Sequence, residues 1–405
     1  MLSIAAILKN EQPYILEWLA YHMVLGIEDF YIADNISSDG GSELLYQLDK
    51  ANFITRIEHP TKNNEPPQLS AYSKVLSMLD QNKWVAFIDA DEFIYPNNFE
   101  HGLDRINHLF EDESNGAISL NWAVYGSSHS ILPDNGLVIE RFIKRATEEH
   151  PVNKHYKSIV RVGDVISTGL TPHAFKIKPG KKFVMPNGKV QEKNEGISDI
   201  TDWSEIRLNH YVIKSKAEFF NKKASRGRAT TMNEGLSRNI AFFNHHDLNE
   251  VDQSIPLWFL KKVKDKINDI KNELVNYGYQ TVPERNKTAL YRTSDNYGKG
   301  VIDSLKKENH QLTVNGWAVN STKAALYNIA IVINNEVLLY PTNTVLHDRP
   351  DVQKAGISDS AKCGFQSYIT LPDITITDIK IYATDKNGLV CTELNLGDHF
   401  TKLFI

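Results

Sequence analysis

Residues 84–95 read WVAFIDADEFIY. Apolar residues run from Trp84 to Ile88, three carboxylates follow at Asp89, Asp91 and Glu92, and the apolar pattern resumes at Phe93. A short apolar run of this kind predicts a buried strand. The charges therefore stand where that strand leaves the core. In an open parallel sheet, ligands bind beyond the carboxyl ends of the strands. Alternate residues of an extended segment point the same way, so Asp89 and Asp91 can face one site. Two such carboxylates repel each other and suit a hard cation, Mn²⁺ or Mg²⁺, shared with substrate phosphates. The plainer alternative is a helix cap beside an ion pair with Lys or Arg.

Working outward, the first 95 residues alternate strand and helix patterns. LSIAAIL (2–8), DFYIADN (29–35), FITRIEH (53–59) and the opening stretch read as strands. Residues 13–26, 37–51 and 68–81 carry helical spacing. This β-α-β-α-β-α-β order predicts a mostly parallel, doubly wound α/β sheet with right-handed crossovers. Two further strand ends aim at the same edge. Lys9-Asn10-Glu11 follows the first strand, and Asp34-Asn35-Ile36-Ser37-Ser38-Asp39-Gly40 follows the second. Asn and Asp there suit a nucleobase and a ribose; they also cap helices in ordinary βα loops.

Past residue 116 the pattern is mixed. Strands are expected at 117–126, 137–144, 156–162 and 205–213, a long polar loop or lid at 176–200, and a helix at 214–229. Residues 255–278 form an amphipathic, Lys-rich helix ending at Gly278. It either packs on the preceding domain or meets an anionic membrane. From about 300 onward, short strand-like runs with hairpin signals at VINNEV and TDKNGLV predict a small all-β sandwich. The expected division is 1–254, a helix and linker over 255–299, and a second domain over 300–405.

The chain has 405 residues, a net charge of −5, 41% hydrophobic and 23% charged residues, and two cysteines, Cys363 and Cys391. That balance fits a globular protein and gives no sign of the basic face that nucleic-acid binding needs. A disulfide framework is not implied. The N-terminus lacks the form of a signal peptide, and no run of about 18 apolar residues occurs. A cytoplasmic location is expected, at the inner face of the membrane if the 255–278 helix makes a peripheral contact.

Several motifs together carry a resemblance. They are Lys9-Asn10-Glu11, Tyr14, Glu17-Trp18, Tyr21-His22, Gly26, Asp34-Asn35, Ser37, Asp39, Gln68, Tyr72 and the 84–93 stretch. They continue with Trp122, Gly126-Ser127-Ser128-His129, Lys157 to Arg161, and His210-Tyr211 with Lys214-Ser215. Over roughly residues 1–230 the chain resembles glycosyltransferases of the GT-A fold, in particular the family 92-like and family 2-like bacterial groups. The resemblance implies a GT-A catalytic domain, a UDP-sugar donor, and an oligosaccharide or lipid-linked glycan acceptor in surface polysaccharide or lipopolysaccharide synthesis.

By that resemblance, Asn10, Glu11, Asp34, Asn35, Gln68, Asp89 and Lys214 would lie along the donor nucleotide. Asp89, Asp91 and His210 would hold the metal, with His173 as second choice for the histidine. Glu92, Asp134 and His129 are catalytic candidates, and Glu140, Glu148, Glu149 and Asp164 leave the base undecided. Trp122 and His173 are acceptor-side candidates. The Lys and Arg cluster from Lys214 to Arg228 could meet a diphosphate or form a solvated face. Gly316-Trp317-Ala318, Arg349-Pro350-Asp351-Val352 and Gly364-Phe365 resemble a β-sandwich module appended to some bacterial glycosyltransferases. Two rival readings are a nucleotidyltransferase acting on sugar phosphates and a non-catalytic glycan-binding protein.

Overall fold

The computed structural model describes residues 2–62, 66–130, 136–192, 195–219, 238–279, 298–334, 337–339, 341–371, 375–384 and 390–396. The chain divides into two compact units. The first takes Met1–His129, Gly136–Lys214 and Lys222–Val282; the second takes Ser130–Asn135, Ser215–Asn221 and Pro283–Ile405.

In the first unit, β1 (Leu2–Leu8), α1 (Gln12–Val24), β2 (Asp29–Asp34), α2 (Gly41–Lys50), β3 (Thr55–Glu58), α3 (Pro67–Met78) and β4 (Trp84–Phe87) follow one another as expected. The β3-β2-β1-β4 part is parallel throughout. The inner strands β1 and β4 are apolar because helices cover both faces of the sheet, while the edge strand β3 is polar and largely exposed. Trp18 and Leu19 of α1 pack with Leu44 and Leu45 of α2 in one core, and Tyr72 and Val75 of α3 fill another. Helix α2 begins later than 37 because the Asp39 carboxylate accepts the Gly41 N–H (2.9 Å) and turns Ser37 to Gly40 away from helical geometry.

The 84–95 stretch is not one strand. The chain turns at Asp89–Asp91 and enters β5 (Glu92–Pro96). β6 (Asn115–Val124) comes next, after the short α4 (Asn107–Glu111). The expected strand at 137–144 is instead a helical turn, α5 (Val138–Arg141), followed by the short β7 (Lys144–Arg145). β8 (Tyr156–Arg161) inserts antiparallel between β4 and β6. The region expected as a long loop holds β10 (Phe175–Ile177), paired with β9 (Val165–Thr168), and β11 (Lys182–Val184), paired with β6. β12 (Ile206–His210) lies parallel to β6 and antiparallel to β5. Nine strands thus form a mostly parallel mixed sheet among the described residues.

The helix expected over 214–229 is described only as the single turn α6 (Lys216–Glu218); residues 220–237 lie outside the described residues. After α7 (Ile240–His246), β13 (Val251–Asp252) pairs with β7. Helix α8 (Leu257–Asn276) then buries Phe259, Val263, Ile267, Ile270 and Leu274 in the same core as Trp18 and Tyr21. Its apolar stripe is taken up by packing from Phe259 onward, while Leu257 is exposed. Among the described residues, no helix is long and apolar enough to cross a membrane.

Among its described residues, the second unit is all β apart from α6 and α9. Strands β14 (Lys299–Glu308), β15 (Gln311–Val319), β18 (Asn343–His347) and β19 (Gly364–Thr370) form one antiparallel sheet. Strands β16 (Asn328–Ile333), β17 (Val337–Leu339), β20 (Ile379–Thr384) and β21 (Val390–Leu394) form another. Both contribute to one core containing Leu312, Ile331, Phe365 and Ile381, as in a sandwich. Arg349, just before α9 (Pro350–Lys354), grips Asp351 through Nε (3.0 Å) and Nη2 (2.7 Å) and reaches Asp303 with Nη1 (2.5 Å). This is the structural form of the Arg-Pro-Asp motif. Cys363 and Cys391 are buried and are not joined in a disulfide. The hairpin signal at Lys386-Asn387-Gly388 lies outside the described residues, as do Asn335 and Glu336 of VINNEV.

Candidate active site

The turn between β4 and β5 is held from below. Trp18 of α1 donates its indole N–H to both the Asp89 carbonyl (3.1 Å) and the Glu92 carbonyl (2.9 Å). Glu92 has no accessible surface; its Oε2 accepts the Asp89 N–H at 2.7 Å. The Tyr211 N–H, just past β12, donates to the Asp91 carbonyl at 2.8 Å. Three elements therefore fix the backbone from which the carboxylates project.

Asp89 is 35% exposed at its side chain, yet both its oxygens are engaged. Gln68 of α3 donates to Oδ1 at 2.9 Å, and Lys157 of β8 donates to Oδ2 at 2.9 Å. Gln68 also donates to the Tyr72 hydroxyl at 2.9 Å. Lys157 is 1% exposed and lies 3.6 Å from Glu92 Oε2. A buried ammonium needs such partners, since desolvation alone would discharge it. Burial works against its charge, but Asp89 and Glu92 together hold its pKa above the ordinary lysine value. Burial also opposes the charge on Asp89, and Lys157 overcomes it, keeping that carboxyl below its usual range. For Glu92 burial wins and pushes the carboxyl up to about 8, against the pull of Lys157. Sharing one cation, the two acids are driven apart.

Asp91 is 10% exposed and faces His210: its Oδ1 lies 3.7 Å from His210 Nε2. Among the described residues no three His, Cys, Asp or Glu side chains group as a metal site. Asp91 and His210 thus make a two-donor half-site, an oxygen and an imidazole, which suits an ion that takes its remaining ligands from phosphate and water.

Around His210 lies an aromatic cluster. Trp122 of β6 packs against His210 (ring centroids 4.3 Å apart), His155 (5.0 Å, nearly parallel) and His173 (5.3 Å, edge-on). Burial lowers His155 to about 4; burial, then the Lys157 charge, lowers His173 to about 3. Both rings are neutral at physiological pH. His173 Nδ1 lies 3.1 Å from the Tyr156 carbonyl, so that nitrogen carries the proton.

The other candidates are differently placed. Asp34 is fully buried: Arg56 donates to its Oδ2 through Nε (2.9 Å) and Nη2 (2.6 Å), while Ser42 Oγ and the Ile36 N–H donate to its Oδ1. Asn35 donates to the His59 carbonyl (2.9 Å) and to Thr61 Oγ1 (3.1 Å). Asn10 Oδ1 accepts the Ser38 N–H at 2.8 Å, tying the two strand-end loops together. Glu11 is buried at the start of α1. Lys214 is buried with its ammonium 4.4 Å from the Tyr14 ring centroid. His129 is exposed beside Ser128, both with left-handed backbone (φ 61° and 49°). Glu140 pairs with Lys264 of α8 (2.9 Å), and Asp164 with Lys181 (3.2 Å). Asp134 lies outside the described residues, as do Lys222, Lys223, Arg226 and Arg228.

Sequence reasoning gave no role to Lys157, Arg56 or His155. The available signal was a lysine or arginine within an otherwise apolar strand, YKSIVRV and FITRIEH, which must find a buried partner.

The first unit is thus a mixed α/β sheet with charged residues gathered at its strand ends, and the second carries a β-sandwich. The sequence model of glycosyltransferase family 92 matches residues 2–240, and the chain belongs to that family. It is 30% identical over 190 residues to a family 92 protein of Arabidopsis thaliana, covering 44% of this chain and 32% of that protein. A family 92 protein of Oryza sativa subsp. japonica is 26% identical over 187 residues, covering 45% and 31%. One of Ricinus communis is 29% identical over 196 residues, covering 45% and 32%. The chain thus spans about a third of the length of the curated relatives it matches. A crystal structure of S. aureus TarS aligns over 97% of this chain and 77% of that one, at 12% identity and a TM-score of 0.28, too low to bear on fold or function.

Proposed function

We propose that the chain is a metal-dependent glycosyltransferase moving a sugar from a UDP-sugar to a hydroxyl of an oligosaccharide or lipid-linked glycan, in surface polysaccharide or lipopolysaccharide synthesis. The observation that carries this is the convergence of Asp89, Asp91, Lys157 and His210 at one end of the sheet, inside the family-matched region. In the reaction, the bond from the anomeric carbon to the diphosphate oxygen breaks. A bond to the acceptor oxygen forms, and the acceptor proton leaves to a base. Asp91 and His210 would hold Mn²⁺ or Mg²⁺, which supplies charge neutralisation of the departing diphosphate. Lys157 fixes Asp89 in its ionised form at the rim, oriented by Gln68. Glu92, buried beneath the turn, acts as a positioning residue that pins the Asp89 backbone.

The test is calorimetric titration with UDP, with and without Mn²⁺. UDP binding that requires Mn²⁺ and disappears in Asp91→Ala supports the reading. A protein that binds UDP equally well without metal overturns the metal dependence; one that binds no nucleotide overturns the transferase and favours the glycan-binding alternative. Preference for a nucleoside triphosphate over UDP would instead favour a nucleotidyltransferase.

A further inference from the structure

Trp122, His155 and His173 sit side by side, half-buried, next to the Asp91–His210 pair. Their three rings lie within 6.1 Å of one another, centroid to centroid. Two polar atoms in this group, Trp122 Nε1 and His155 Nδ1, are buried and have no hydrogen-bond partner among the described residues. Buried polar atoms are nearly always paired, by protein, water or ligand. Two such groups in neighbouring rings mark a place that would hold water or a polar ligand. The His173 proton is spent on the Tyr156 carbonyl, which leaves its Nε2 as an acceptor. The group therefore offers an N–H donor at Trp122, an unsatisfied nitrogen at His155 and an acceptor at His173, on rings with broad apolar faces.

We propose that Trp122, His155 and His173 form a sugar-binding wall that takes an uncharged pyranose beside Asp91 and His210. Pyranoses present C–H faces together with hydroxyls that both donate and accept, and this wall matches both properties. Lys157, whose charge acts on His173, is already held by Asp89 and Glu92 and is not available to a uronate carboxylate. The inference rests on the transferase reading above. The pyranose could belong to the donor or to the acceptor.

The experiment has two arms. In the donor arm, affinities for UDP, UDP-galactose and UDP-glucuronate are measured by calorimetry with Mn²⁺. In the acceptor arm, binding is read on an array of neutral and uronate-containing oligosaccharides. Both are run on the wild type, Trp122→Leu and His155→Ala, with Trp122→Phe as the conservative variant and thermal melting as a folding control. If the donor sugar occupies the wall, the advantage of UDP-galactose over UDP falls about tenfold in the variants, the scale of one or two lost contacts. UDP affinity itself holds. If the acceptor occupies it, binding to neutral oligosaccharides falls by a similar factor. Trp122→Phe retains more of either preference than Trp122→Leu. Should Trp122→Leu unfold, His155→Gln decides the same comparison. Variants that keep the wild-type preferences in both arms overturn the wall, and so does a wild type that prefers the uronate probes. A wild type that binds no UDP, yet loses array binding in the variants, sinks the transferase reading and leaves the wall standing.

Discussion

Lys157 illustrates what a single buried charge demands. Its ammonium balances two carboxylates, Asp89 and Glu92, in a region with little access to water. Removing one partner of such a network leaves uncompensated buried charge, which costs about 3–5 kcal/mol. Lys157→Met is expected to lower unfolding free energy by about that amount in urea titration at neutral pH. Glu17 makes a different demand. Its carboxylate accepts the N–H groups of Val138 (2.8 Å) and Ile139 (3.0 Å), capping α5. Burial, opposed by those bonds, raises its pKa from 4.5 to about 7. Below pH 4.5 both folded and unfolded states hold the proton. Between 4.5 and about 7 only the folded state does, so stability falls as pH rises, by about 1.4 kcal/mol per unit, and levels off above. Glu17→Gln is expected to remove that share of the slope from a series of denaturation curves across the range, leaving the share that the raised Glu92 carboxyl contributes. Asp89 and Asp91 could be singled out as candidates from sequence because a strand end with repelling carboxylates asks for a ligand. Lys157 and Arg56 were not, because a sequence does not show which acid a strand lysine or arginine will meet. Asp34 illustrates the converse, a loop acid whose bonds go to Arg56 and Ser42.

At the scale of elements, α8 is the clearest case of a pattern with two readings. Amphipathic spacing was plain in the sequence; what the apolar stripe faces was not. It faces α1 and the sheet, with Val263, Ile270 and Leu274 fully buried. Leu274→Ala is expected to cost about 2–5 kcal/mol in chemical denaturation, as core truncations do. Leu257→Ala, at a residue 82% exposed, is expected to change stability by no more than about 0.5 kcal/mol. Elements with strong local periodicity, β1 to β3 and α1 to α3, were readable to within a few residues, whereas the 84–95 stretch, read as one strand, divides into β4 and β5 at the Asp89–Asp91 turn. The 137–144 segment was not, since LVIERFIK has the composition of a strand. It turns helical where Glu17, more than a hundred residues earlier in the chain, caps its first N–H groups. The β10 and β11 strands were hidden for a related reason: each is three residues long and exists through pairing with β9 and β6.

At the scale of the molecule, each unit has its own hydrophobic core. A truncation in the second core, Phe365→Ala, is expected to lower the melting transition of that unit while the UDP binding proposed for the first unit stays unchanged; a parallel loss of that binding would contradict the separation. The order of strands in the first unit carries a consequence for its biogenesis. The β3-β2-β1-β4 half is complete once residue 87 has emerged from the ribosome. The acids at its edge are then already made, but Lys157 lies 68 residues beyond Asp89, and His210 arrives later still on β12. Until β8 inserts beside β4, Asp89 and Glu92 have no cation to share, and burying them would be costly. The β4–β5 turn should therefore stay hydrated on the nascent chain. Closure of that region would follow synthesis of β8, making assembly of the site a late event governed by long-range pairing rather than by local propensity.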